Sequence, residues 1–223
     1  MVTIDEIIRT RRKTIALIVE RDGRLVVRAP LRASTESIHK LVVKKDAWIR
    51  RQQAQVKASY RPFVPKEYIN GERFWYLGKI YQLKLEEKSE PALVLNGDFQ
   101  LAQAALPKAP IVFERWYRDQ AHRVFSQRVE WVAAQHGFKP GRIKVTSARQ
   151  RWGSCSTRGT VSFAWRLVMA PVPVIDYVVV HELVHLQVKN HSKEFWGKVK
   201  VIMPDYEQKI EWLELNGHLL RLE

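Results

Sequence analysis

Eleven consecutive residues, His181-Glu-Leu-Val-His-Leu-Gln-Val-Lys-Asn-His191, hold three imidazoles and a carboxylate, and they constrain what the C-terminal half can become. On a helix His181 and His185 share one face, with Cβ atoms about 5–6 Å apart, near enough for one tetrahedral metal with bonds of ~2.0 Å. Glu182 stands where a His-Glu-x-x-His site places the base that deprotonates a metal-bound water, so it is not itself expected to be a ligand. The stretch reads as a zinc hydrolase site. Continuous helix would carry His191 roughly 15 Å along the axis from His181. If His191 is the third ligand, the helix must break first.

Asn190 can adopt a left-handed conformation and end the helix, and Ser192 can cap a new one running through Phe195 and Trp196. The spacing follows His-Glu-x-x-His-x-x-Gly-x-x-His, except that Val188 holds the glycine position, so the turn is expected at Lys189 and Asn190. A chance His-Glu-x-x-His on a solvated helix is the competing reading. The flanks Tyr177-Val-Val-Val180, Leu183, Val184 and Leu186 count against it, because in a largely apolar helix imidazoles and a carboxylate are costly unless paired or metal-bound.

Ahead of this stretch, residues 14–28 alternate around Asp22-Gly23, a hairpin signal. Ser34 and Thr35 then offer caps for a helix with Ile38, Leu41, Val42 and Ile49 at helical spacing. Strands are expected at Glu72–Leu77 and Ile80–Leu85, joined through Gly78, and again on either side of Asn96-Gly97. Residues 102–110, with Pro107 and Pro110, look like a joint, so residues 1–108 form a β-rich basic region and residues 109–223 a separate core. A helix from about Ile111 to His136 carries a wide aromatic stripe, read as core, and stops at Gly137. Residues 142–168 read as one hairpin, followed by helices from Pro173, from Ser192 to Met203, and from Tyr206 to Leu215 capped by Asp205. The fold class is α+β.

No apolar run approaches the 18 or so residues of a membrane span, and the N-terminal stretch lacks the apolar core of a signal peptide, so a cytoplasmic protein is expected. Cys155 is the lone cysteine; it needs no oxidising compartment and reads as a packed hairpin residue. The formal charge is +15, and residues 1–110 carry 21 Lys+Arg against 12 Asp+Glu, residues 111–223 17 against 11. Such a field attracts polyanions, nucleic acid or nucleotide, although a plain soluble basic surface explains it as well.

In the C-terminal half Arg151-Trp-Gly-Ser-Cys-Ser156, Trp165-Arg-Leu167, Ile175-Asp-Tyr-Val178, His181-Glu-Leu-Val-His185, Asn190-His-Ser192 and Phe195-Trp196 together carry a resemblance. Asp46-Ala-Trp-Ile49 and Leu77-Gly-Lys-Ile-Tyr-Gln-Leu83 extend it through the N-terminal half. By these residues the chain resembles the YgjP-like family of zinc metallopeptidases, relatives of the SprT-like proteins. The resemblance implies a zincin-like core, His181, His185 and His191 as zinc ligands, Glu182 as general base and a polypeptide substrate. One departure is Ala164, where the family pattern usually has asparagine.

For a peptidase, the strand from Val161 to Val168 offers an edge along which an extended peptide can pair. Tyr177 is either an oxyanion or ligand-orienting donor or a core tyrosine, and Asp176, Glu194 and Asp205 are all candidates to orient a ligand imidazole. Two other readings keep the metal: hydrolysis of a nucleotide phosphoanhydride at the same histidines, and a nucleic-acid-associated protease or basic binding module.

Overall fold

Gly23, at φ 87°, turns the chain as its sequence requires, and strands β2 (Ala16–Val19) and β3 (Leu25–Pro30) pair antiparallel on either side. The structure, a computed structural model, describes residues 2–20, 22–59 and 64–223, with the side chains of Ala58 and Ser59 left aside. Ahead of the hairpin an unanticipated strand, β1 (Glu6–Thr10), joins β3 in parallel and makes it the centre of a β1-β3-β2 sheet. Leu25, Val27 and Ala29 alternate onto one face and bury against Ile38, Val42 and Ile49. The expected long helix is two, α1 (Thr35–Lys44), capped by the Ser34 side chain, and α2 (Asp46–Ser59), with Lys45 interrupting the helical geometry between them.

Contacts divide the chain into Met1–Pro62 and Phe63–Glu223. In the second unit β4 (Arg73–Tyr76), β5 (Lys79–Glu86), β6 (Leu93–Asn96) and β7 (Asp98–Ala102) form a sheet of order β4-β5-β7-β6. The joint expected at 102–110 lies inside this unit: Gln103–Lys108 is a 3-10 helix that runs into α3 (Ala109–His136). Gly137, left-handed at φ 68°, ends α3 as expected. Phe113, Tyr117 and Phe125 are fully buried on its inner face, where Phe113 stacks on Phe74 at 4.3 Å and the Tyr117 hydroxyl donates to the Trp75 carbonyl at 2.6 Å. The aromatic stripe is therefore core, each ring contributing about 2–3 kcal/mol by burial. Trp131 is the exception; it lies half-exposed under the Arg128 guanidinium.

The expected hairpin over 142–168 is a different structure. β8 (Ile143–Thr146) pairs parallel with β10 (Val161–Ala164), and a three-residue strand, β9 (Gly153–Cys155), makes the antiparallel pair on the other side. The order β8-β10-β9 leaves β10 in the middle, so it presents no edge. It stops at Ala164, which precedes a 3-10 helix, Trp165–Met169, without offering a capping side chain. Helices α4 (Val172–Val184), α5 (Lys193–Ile202) and α6 (Tyr206–Asn216) complete the unit.

Two contacts fix α4. The β4–β5 turn has Leu77 and Gly78 both at positive φ, and their N–H groups donate to the carbonyls of Val168 and Met169 at 3.0 and 3.1 Å. A Cβ on Gly78 would stand 2.7 Å from the Pro171 backbone, so only glycine lets the turn lie against the start of α4. From α3, Arg128 forks onto Asp176 through bonds of 2.5 and 2.8 Å.

Candidate metal centre

Helix α4 ends at Val184, with His185 as its C-cap, earlier than the sequence suggests. Leu186 and Gln187 donate to the carbonyls of Leu183 and Val184, both at 3.0 Å, so the last turn tightens to i→i+3 bonds and leaves the helix axis without a left-handed residue. Val188 and Asn190 are both absent from the positive-φ residues, which explains how valine holds a position where the pattern has glycine. The break expected at Lys189 and Asn190 thus lies at Leu186–Val188. Asn190 contributes differently: its Oδ1 accepts from the Ser192 N–H at 3.2 Å. The Ser192 hydroxyl caps α5, as expected, by accepting from the Phe195 N–H.

This turn brings the three imidazoles together, with one nitrogen from each within 4.8 Å of the others. His181 Nε2 and His191 Nε2 are 3.0 Å apart, near the ~3.3 Å edge of a tetrahedron with bonds of ~2.0–2.1 Å. His185 Nδ1 lies 3.0 Å from the Val188 carbonyl, which can only accept, so Nδ1 carries the proton and Nε2 keeps its lone pair. His181 Nδ1 faces the Tyr177 hydroxyl at 3.4 Å. Phe195, fully buried, packs against all three rings with centroids 4.5–4.9 Å away. Burial, with His185 and His191 adding to it, pushes His181 down to about 3, and burial with His185 lowers His191 as well. Neutral imidazoles are the form a metal takes.

Glu182, which follows His181 in α4, is 4% exposed and lies against Gly153 of β9. A Cβ on Gly153 would meet its Oε1 at 2.5 Å, so the glycine makes the space the carboxylate fills. Its Oε2 is buried and has no hydrogen-bond partner among the described residues. Burial pushes Glu182 up to about 7, with the Arg151 charge pulling it back in part. Three converging imidazoles form a donor set that fits a metal, and the orphaned, desolvated oxygen of Glu182, the residue after His181, is left with an unmet partner that a water could supply.

The three acidic candidates do other work: Asp176 is held by Arg128, Asp205 pairs with Lys209 at 2.6 Å, and Glu194 is exposed in the first turn of α5. A backbone carbonyl and a tyrosine hydroxyl take the orienting positions instead. Cys155 is half-buried, and burial pushes its thiol up, away from the thiolate form. Gly153 and Phe195 join the site through contacts that cross elements, and in the sequence only the stretches Arg151-Trp-Gly-Ser-Cys-Ser156 and Phe195-Trp196 mark them.

A family model described as YgjP-like, metallopeptidase domain, matches residues 13–216. No curated protein matches the chain. Among solved structures, the crystal structure of the metallopeptidase zymogen of Pyrococcus abyssi, abylysin, is similar at 22% identity, covering 44% of this chain and 96% of that one, with a TM-score of 0.38. The metallopeptidase zymogen of Methanocaldococcus jannaschii, jannalysin, is similar at 19% identity, with 40% and 94% covered and a TM-score of 0.34.

Proposed function

The chain belongs to the YgjP-like metallopeptidase family, and from that premise we propose that it hydrolyses peptide bonds using zinc held by His181, His185 and His191, with Glu182 as general base. The observation that carries this reading is the convergence of three imidazoles beside a buried carboxylate whose Oε2 is unpartnered. When bound at such a site, zinc supplies Lewis acidity and brings the pKa of a water down to ~7. Glu182 Oε2 takes the proton of the attacking water and returns it to the leaving amine. Its burial supports that role, because a carboxylate raised towards neutrality both accepts and releases a proton there.

The Val188 carbonyl and Tyr177 hydroxyl hold two imidazoles in orientation. The peptide-pairing edge moves from β10 to β9. That strand pairs with β10 alone among the described strands and lies against Glu182 through Gly153. An extended substrate added there would be read by its backbone, not by its side chains.

The test is zinc analysis and hydrolysis of an unfolded polypeptide by the full chain and two variants. The wild type should hold about one zinc, lose activity to a chelator and regain it with zinc. Glu182→Gln should keep the zinc and lose roughly 10²–10⁴-fold in turnover; undiminished turnover would remove Glu182 from the mechanism. Full zinc content in His191→Ala would sink the three-histidine set.

A further inference from the structure

The excess charge is not spread through the chain. Residues 1–62 hold 15 Lys+Arg against six Asp+Glu, whereas residues 63–110 hold six of each. The smaller unit, Met1–Pro62, therefore carries +9 of the +15.

Within that unit the charges are sorted by the strand directions. β1 and β3 run parallel with Thr10 beside Pro30, and β2 returns with Ala16 beside Arg28, so the 11–15 turn and the 31–33 loop share one end of the sheet. Arg11, Arg12, Lys13 and Arg32 lie on those two segments, with Arg28 in the adjoining part of β3, beside Ala16. Asp5, Glu6, Glu20 and Asp22 all fall at the opposite end, and the remaining carboxylates, Glu36 and Asp46, pair with Lys40 and Arg50. Arg11, Lys13, Arg28 and Arg32 are exposed and have no acidic partner among the described residues. The segment is also braced: Arg9 donates to the carbonyls of Pro30, Leu31 and Ala33, at 3.4, 3.3 and 2.6 Å, and so fixes the loop that presents Arg32.

We propose that this end of the β1-β3-β2 sheet is a binding surface for nucleic acid, engaging the phosphodiester backbone without reading sequence. Arginine dominates the cluster, and its planar fork matches phosphate oxygens bidentately, which a lysine-rich solvated face would not do. Such an array of cations gains affinity chiefly through counterion release, so binding must fall steeply with salt.

The test is fluorescence anisotropy of the zinc-loaded full chain with a labelled 30-nucleotide single strand. With about four phosphates engaged, affinity should weaken by roughly fifty-fold between 50 and 200 mM salt. The triple variant Arg11→Ser, Lys13→Ser, Arg32→Ser should bind at least about tenfold more weakly at 50 mM, with a flatter salt slope. A control of equal charge change in the larger unit, Arg115→Ser, Lys139→Ser, Lys200→Ser, should bind as the wild type does. Equal losses in both variants would reduce the effect to net charge and overturn the assignment, as would no binding by the wild type. Capture by anionic phospholipid vesicles, lost in the triple variant while the oligonucleotide goes unbound, would make the surface a lipid site and overturn it equally.

Discussion

Gly153 decides where the Glu182 carboxylate can stand. With Oε1 at 2.5 Å from the place of a Cβ, Gly153→Ala must push the carboxylate aside by about an ångström, a displacement that costs on the order of 10²-fold where a catalytic group is positioned. The variant should keep its zinc, because no ligand nitrogen is touched, and lose about 100-fold in kcat; zinc analysis beside steady-state kinetics checks this, and wild-type kcat would refute it. Tyr177 should matter less. Its hydroxyl is 3.4 Å from His181 Nδ1, against 3.0 Å for the Val188 carbonyl on His185, so Tyr177→Phe should weaken zinc by no more than about tenfold in a competition with a chelator. The convergence of the three histidines was legible because their spacing is local to one helix and its exit. The room that Gly153 makes was not, since its partner lies in another element and a lone glycine carries no sign in the sequence of what it makes room for.

The exit from α4 was legible in part. The sequence requires a break before His191, and distance alone gives that result, but not the manner of breaking. A missing glycine suggested a left-handed residue further on, whereas tightened hydrogen bonds at Leu186 and Gln187 turn the chain with ordinary dihedrals. Restoring the glycine should therefore harm the protein. Val188 is 8% exposed and packed in the main core, so Val188→Gly loses buried apolar surface and gains backbone entropy in the unfolded chain, together about 2–3 kcal/mol. Urea unfolding of the zinc-free protein measures it, and a stability equal to wild type would mean that the turn does strain the valine. Elsewhere the hairpins around Gly23, Gly78 and Gly97 were legible because turn chemistry is local. The parallel pairing of β8 with β10 was not, because the intervening β9 is too short to show alternation and adjacent strands otherwise read as a hairpin.

At the scale of the whole molecule the excess charge concentrates in the smaller unit, and the two halves of the sequence look evenly basic only because residues 63–110 are neutral and belong with α3. The proline-marked stretch that reads as a joint is a 3-10 helix inside the larger unit. The two units have separate cores: Leu25, Val27, Ala29, Ile38, Val42 and Ile49 in one, and a cluster built on α3, α4 and the β4-β5-β7-β6 sheet in the other. All three converging histidines lie in the second. A ligand that binds only the folded form stabilises the cooperative unit that contains its site, by about 2.7 kcal/mol at a hundredfold excess over Kd. Zinc should therefore slow hydrogen exchange at Val179 and Val180, in buried α4, by about 100-fold, while Val27 and Ala29 in β3 exchange at the same rate with and without it. Equal slowing in β3 would mean that the two cores open as one, and the metal would then act on the stability of the entire chain.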